Sequence, residues 1–424
     1  MKTLKNIFSL IIISCVTLSF AQQTPAPVQK ETISITGATV HVGNGTIIEH
    51  SILIIEDGKI QTCVDGRFAK IPLKGKIINA NGHHIYPGFI AANTSLGLVE
   101  VNAVRASNDQ DELGEMIPHI RSLIAYNAES KVVESMRPNG ILIAQVSPNG
   151  GLISGTSSIM QLDAWNWEDA ALKVDDGIHL NWPRIFTSAL KPNTNYAKQI
   201  NKIEKFISES KAYLKGDKSI KNLPYQAMDG LYNGLQKLYV HVNNEKGIID
   251  AVHFANDNDI ANLVIVGGYK AYKITDLLKK NNVAVLLDQT HGLPKLDDHD
   301  YDLPYKNPKI LAEAGILVGI HTGNKSNFQT RNLPFYAGQV VGQGMDKEEA
   351  LKLITSNTAK ILGIDKHLGT IEEGKDATLF ISEGDALDMR TNNLTHAFIN
   401  GRNISLETHQ TKLWKRYSKK YNGE

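Results

Sequence analysis

Few side chains in this sequence have both the type and the position for acid–base or metal chemistry. His241 sits in the apolar run Leu238-Tyr239-Val240-His241-Val242, and His321 ends the run that starts at Ile316, in Gly319-Ile320-His321-Thr322-Gly323. An imidazole at the end of a short buried strand can serve as a general base or ligate a divalent metal. A histidine satisfied by one hydrogen bond at the same place needs no such role, and for His241 both readings stand. His321 with His241 and Asn93 would make a His/His/Asn metal set. Asp288 and His291 fall in the loop after Val283 to Leu287, as a substrate contact or as plain loop residues. Tyr269 with Lys270, and Arg331 with Asn332, follow two further strand-like runs, and an arginine offers a two-pronged grip on a ligand carboxylate or amide. Ser95, His241 and Asp288 would be nucleophile, base and orienting acid, yet no Gly-x-Ser-x-Gly elbow surrounds Ser95. Asn149-Gly150-Gly151 and Gly155-Thr156-Ser157-Ser158 read as an anion-facing loop or, more simply, a tight turn. His83 and His84 precede the first barrel strand and suit packing or solvent.

Such side chains need rigid elements behind them. From Thr32 to Ile78 short apolar segments such as Ser51 to Ile55 are separated by the turn signals Gly43-Asn44-Gly45 and Asp57-Gly58, the texture of a small β-rich unit. After Pro87, strand-like runs (140–144, 238–242, 263–266, 283–287, 316–320) alternate with amphipathic stretches over 245–256 and 271–280. That alternation predicts parallel β/α units closed into a barrel. A last amphipathic helix is expected over 345–362, an inserted helical excursion over 196–222, and strands over 377–382 and 397–404. Trp165, Trp167 and Trp182 are assigned to packing around an edge of the barrel.

The chain has 424 residues, 42% of them hydrophobic and 21% charged, enough for a large core. Lys plus Arg is 45 and Asp plus Glu 44, a balance that speaks against nucleic acid or an acidic membrane surface as partner. With only Cys15 and Cys63, disulfide scaffolds and cysteine-rich metal clusters are excluded. Lys2 and Lys5 precede the apolar run Ile7 to Phe20, and Ser19-Phe20-Ala21 offers small residues for cleavage before Gln22. This predicts a signal peptide and an exported protein, periplasmic or secreted. The competing reading is a lipoprotein signal at Ile12-Ile13-Ser14-Cys15, against which Val16 to Phe20 extend the apolar run. The run is too short for a comfortable transmembrane span. Without Lys2 and Lys5 the chain carries 43 basic and 44 acidic side chains.

The segment Pro87-Gly88-Phe89-Ile90-Ala91-Ala92-Asn93-Thr94-Ser95 resembles the first-strand segment of the amidohydrolase superfamily, usually Pro-Gly-Phe-Ile-Asp-x-His-x-His. Leu368-Gly369-Thr370-Ile371-Glu372-Glu373-Gly374-Lys375-Asp376-Ala377, Asp385 to Asp388 and Phe398 to Arg402 resemble imidazolonepropionase-like members, and Gly150 to Gly155, His291 to Pro294 and Asp300 to Tyr305 a secreted branch. The resemblance runs from about Ile33 to Arg402. It implies a distorted (β/α)8 TIM barrel over 86–365 and a composite β-sandwich from 22–85 and 366–408, which leaves the expected signal peptide over 1–21 and a tail over 409–424.

In that superfamily one or two divalent metals at the barrel mouth lower the pKa of a bound water and polarise the scissile carbonyl. The first-strand histidines map to Asn93 and Ser95, and the aspartate before them to Ala91. His241 matches the fifth-strand histidine; the sixth-strand histidine falls near Val266-Gly267-Gly268 and the eighth-strand aspartate near Thr322-Gly323. One expected ligand of five remains, so the resemblance implies the fold but not the standard centre. Two readings follow. One is a hydrolase of non-peptide carbon–nitrogen bonds, of the cyclic-amide class. It would have a reduced site around His241 and His321, with one zinc or manganese ion or no metal, and Asn93, Ser95, Tyr269, His291 and Arg331 contacting substrate. The other is a catalytically silent barrel that binds a small molecule, forms a homo-oligomer, or pairs with an active relative.

Overall fold

The computed structural model describes residues 24–187, 191–294, 299–323 and 327–422, so the expected signal segment and Cys15 lie outside the described residues. Eight strands form the central sheet, in chain order Phe89–Thr94, Ile141–Val146, Ile153–Gln161, Ala171–Asn181, Lys237–Val242, Leu263–Gly267, Ala284–Leu287 and Val318–Ile320. Their interior is apolar and β-branched, as strands buried on both faces must be. A parallel bridge between Ala92 and His321 brings the first and last strands together and nearly closes the barrel. Helices such as Glu245–Asp257 and Leu303–Glu313 lie between strands.

The barrel departs from eight parallel units at its third strand. Ile153–Gln161 runs antiparallel to both neighbours, with Ser158 opposite Val146 and Thr156 opposite Ile178. A hairpin through Gly150 and Gly151, both at positive φ, replaces a helical crossover. Gly155 to Ser158, expected in a turn or anion-facing loop, therefore lie inside a barrel strand.

The remaining strands form two sheets. One is Lys59–Asp65, Ser51–Glu56, Ile33–Thr36, Lys76–Asn79; the other is Arg402–Ile404, Leu394–Ile399, Leu379–Ser382, His84–Pro87, Thr39–His41, Ile47–Ile48. Chain-start and chain-end segments meet where Ile85 pairs with Ile381. Side chains alternate across that second sheet. Ile85, Leu379, Ile381 and Phe398 enter one core with Ile35 and Leu53, while Tyr86 and Phe380 turn to the barrel core. There Phe380 lies 5.5 Å from Tyr86 and edge-on to Phe89 at 4.9 Å. The sheet is thus buried on both sides. His84 bonds His41, which in turn meets Glu348 at 2.7 Å.

The helix expected over 345–362 is two, Lys347–Lys352 and Ser356–Leu362. Between them Thr355 leaves helical geometry (φ −128°, ψ −102°) and its hydroxyl donates to the Leu351 carbonyl. Within the C-terminal tail, His409–Asn422 is a helix. Trp182 is buried against Phe254, whereas Trp165 is exposed.

Barrel and C-terminal hairpin are joined by charge. Asp163 accepts from Arg402 at 2.8 Å and faces Arg137 at 3.2 Å, with the Asp163 and Arg137 side chains 2% and 3% exposed. Asp163→Ala leaves two cations facing an empty site, and a loss of about 3–5 kcal/mol is expected. Urea unfolding measures it; a change no larger than that of the exposed control Asp257→Ala would contradict the assignment.

Candidate active site at the barrel mouth

A cavity of about 610 Å³ opens where the parallel strands end, and Asn93, Tyr269, His241 and His321 all line it. Asp288, Arg184 and Asn243 complete its polar wall. A second recess of about 520 Å³, reaching Trp182 and Phe186, shares His241, His321, Asp288 and Arg184 with it. Ser95, His291 and Arg331 are not on this wall. Ser95 donates its hydroxyl to Asn327. His291 is exposed and accepts from Gln339 at 3.2 Å, and the Arg331 carbonyl accepts from Asn139 at the start of the second strand, the end of the barrel opposite the mouth.

His321 is held by its own backbone. The Gly323 N–H donates to Nδ1 at 2.9 Å, and the Asn93 amide nitrogen lies 3.4 Å from the same atom. Nδ1 is therefore the acceptor and the ring proton sits on Nε2. Nε2 faces Asp288 Oδ1 at 3.3 Å, without the alignment of a full hydrogen bond. Asn93 reaches His321 from a left-handed backbone (φ 49°), and its own N–H donates to the Gln145 side chain at 3.0 Å.

His241 meets His179, a residue that sequence reasoning missed. His179 Nδ1 and His241 Nε2 are 2.9 Å apart, and the His179 ring lies 4.8 Å from that of Tyr239. Burial and the nearby His321 push His241 down to about 4, against an opposing pull from Asp288; burial and His241 push His179 well below the usual imidazole range. Both rings are neutral at pH 7.

Beneath them Asp176 accepts hydrogen bonds from Ser157 (2.7 Å), Tyr239 (2.8 Å) and Gln145 (2.9 Å). Burial raises its pKa, and these donors resist the rise. Gly177 makes room for this: an added Cβ would come within 2.3 Å of the Tyr239 ring. Gly267 (φ +94°) does the same for Asn243, whose amide oxygen takes the Tyr269 N–H at 3.2 Å. The signal that would have found His179 is the alternation Ile178-His179-Leu180-Asn181 at the end of the fourth strand; Asp176 falls outside its phase.

Among the described residues no three His, Cys, Asp or Glu side chains converge as metal ligands. What the wall offers is a carboxylate beside an imidazole N–H, the His241 ring backed by His179, and Arg184, whose guanidinium has no side-chain partner among the described residues.

A profile of the Amidohydrolase family matches residues 308–404. An imidazolonepropionase of Thermoplasma volcanium is 31% identical over 118 residues, 26% of this chain and 29% of that protein. Amidohydrolase tasK of Hapsidospora irregularis is 30% identical over 126 residues, 28% of this chain and 12% of that protein. The matches thus span less than a third of either relative. An amidohydrolase from Thermotoga maritima superposes with a TM-score of 0.77 at 21% identity, over 88% of this chain and 99% of that one, and shares the fold.

The depressed histidine has a sign that can be checked. Between pH 6.5 and about 4 the unfolded chain binds a proton that native His241 refuses, so stability falls as pH drops through that window and levels off below it. His241→Gln is expected to flatten the fall in thermal midpoint over the same window. Parallel curves for the two proteins would contradict the shift.

Proposed function

We propose that the chain is a hydrolase of the amidohydrolase superfamily, acting on non-peptide carbon–nitrogen bonds of the cyclic-amide class by side-chain proton transfer. The observation that carries the reading is the contact between His321 and Asp288 in a cavity sized for a small molecule. The metal centre of the superfamily does not fit these residues. His321 would have to give up its Nε2 proton and place it on Nδ1, against the Gly323 N–H, before it offered a lone pair to the cavity. Asn93 and Ser95 replace imidazoles with an amide and a hydroxyl, and Ser95 is engaged by Asn327. No step is therefore routed through a metal.

In the proposed reaction the Asp288 carboxylate takes a proton from water as the oxygen bonds to the carbonyl carbon. The carbon–nitrogen bond then breaks while His321 Nε2–H protonates the leaving nitrogen, and the ring recovers its proton from Asp288. Arg184 and Asn243 face the carbonyl oxygen as charge develops there. The low pKa of His241 keeps a second positive charge out of the pocket.

A second reading is a silent barrel that binds a polar small molecule or pairs with an active relative. Two polar atoms of cavity-lining residues favour it: Asn93 Oδ1 and His321 Nε2 have no hydrogen-bond partner among the described residues. A bound ligand would satisfy such atoms at a gain for each.

Ring opening of cyclic amides, assayed with excess chelator, separates the readings. Turnover that resists chelation and falls by about 100-fold or more in Asp288→Asn is expected. Ligand-induced thermal stabilisation without turnover would leave the binding role. Turnover that needs about one metal per chain, held by His241, would return the site to metal chemistry.

The proposal includes export, read from Lys2, Lys5, the apolar run and Ala21. Intact mass of the protein recovered from outside the cytoplasm is expected to place the N-terminus at Gln22. A lipid-modified Cys15 would favour the lipoprotein reading instead.

A further inference from the structure

The helix His409–Asn422 hardly touches the rest of the molecule. His409 N–H donates to the buried Glu134 carboxylate at 2.6 Å and Lys412 N–H to the Thr408 carbonyl, which fixes its start. From 409 to 421 every residue except Thr411 and Ser418 is exposed. An isolated helix of this length is marginal in water unless something covers its apolar face. That face exists: Leu413, Trp414, Tyr417 and Tyr421 fall within an arc of about 100°, and the three aromatics are 68%, 50% and 75% exposed. The next arc carries Lys412, Lys415, Arg416, Lys419 and Lys420, while no Asp or Glu lies between 409 and 422. One carboxylate outside the helix, Glu407, offsets part of this charge by meeting Lys415 at 2.9 Å.

We propose that this helix docks the protein on an anionic phospholipid surface, lying in the interface with its aromatic arc toward the acyl chains and its cations on the lipid phosphates. Tryptophan and tyrosine have an apolar body and a polar tip, which suits the water–lipid boundary. Lysine stems cover apolar surface while their ammonium groups stay among headgroups. A helix of 14 residues is about 21 Å long, too short to cross a hydrocarbon core of roughly 30 Å, so it lies on the surface. A second copy of the chain is the weaker occupant. Five cations and no carboxylate within the helix match lipid phosphates and find no acidic counterpart on the same helix of another copy. The whole-chain charge balance conceals the feature, because excess acidic groups elsewhere offset these five cations.

The test is co-sedimentation of the full chain with vesicles of phosphatidylcholine alone or with one third phosphatidylglycerol. Binding about tenfold tighter to the anionic vesicles, weakened by salt, is expected. Lys415→Gln/Lys419→Gln/Lys420→Gln is expected to abolish the preference for anionic lipid. Trp414→Ser/Tyr417→Ser is expected to weaken binding to both vesicles. Trp414 emission is expected to shift to the blue on binding, with Trp414→Phe as the blank. Equal binding to both vesicle types, or none, overturns the proposal. So does a concentration-dependent dimer that Trp414→Ser dissolves, which would assign the face to a second copy.

Discussion

Five of the eight barrel strands are tied, directly or through one intermediary, to a single buried carboxylate. Asp176 on the fourth strand accepts from Ser157 on the third, Tyr239 on the fifth and Gln145 on the second, and Gln145 in turn takes the Asn93 N–H of the first. Those are the strands among which the barrel is irregular, with the third running against its neighbours. Hydrophobic layers fix volume but not register. A carboxylate surrounded by donors from three strands fixes register, because a slip would leave a buried charge without partners. The position of the mouth follows from it. Tyr239 braces the His179 ring, and Gln145 holds the left-handed turn of Asn93 that aims its amide at His321.

The same arrangement keeps the site poor in charge. His179 and His241 share one hydrogen bond and are pushed toward neutrality by burial and by each other's neighbours. Asp288 is the carboxylate near His241, facing His321 at the rim where solvent reaches it. On the proposed reading, a neutral imidazole pair beside one rim carboxylate suits a polar, uncharged ring held against Arg184. The apolar layers of the barrel contribute none of these polar side chains, so the fold does not depend on them.

What the sequence made legible divides along physical lines. Strands and helices with strong local pattern were readable: the run around Val240-His241-Val242 is a strand, and 245–256 lies within the helix Glu245–Asp257. His241 and His321 could be placed near strand ends because one sits late in an apolar run and the other closes one, and both line the cavity. What depended on distant partners was not readable. The bond between His179 and His241 joins residues 62 apart, and Asp175-Asp176-Gly177 has the composition of a turn although Asp176 is the centre of a buried network. The antiparallel third strand was hidden for a similar reason. Its Gly155-Thr156-Ser157-Ser158 is polar because Thr156 and Ser157 bond inward, to the Pro118 carbonyl and to Asp176. Polar residues in a strand pass for a loop when their partners lie outside the window being read.

The C-terminal helix exposes the opposite weakness, an average that erased a local fact. A net charge of +1 over 424 residues speaks for a neutral surface, and it is the correct argument about long-range steering of the whole particle. Adhesion at an interface depends on the charge within a Debye length, about 8 Å in physiological salt. On that scale the helix presents five cations beside four large apolar side chains, and the acidic groups that balance the total are spread over the rest of the chain. Elsewhere the exposed aromatics, such as Phe68, Trp165 and Tyr301, are scattered along the chain, whereas Trp414, Tyr417 and Tyr421 are exposed together. They share one arc of one helix, held at its first turn through Glu134 and Thr408.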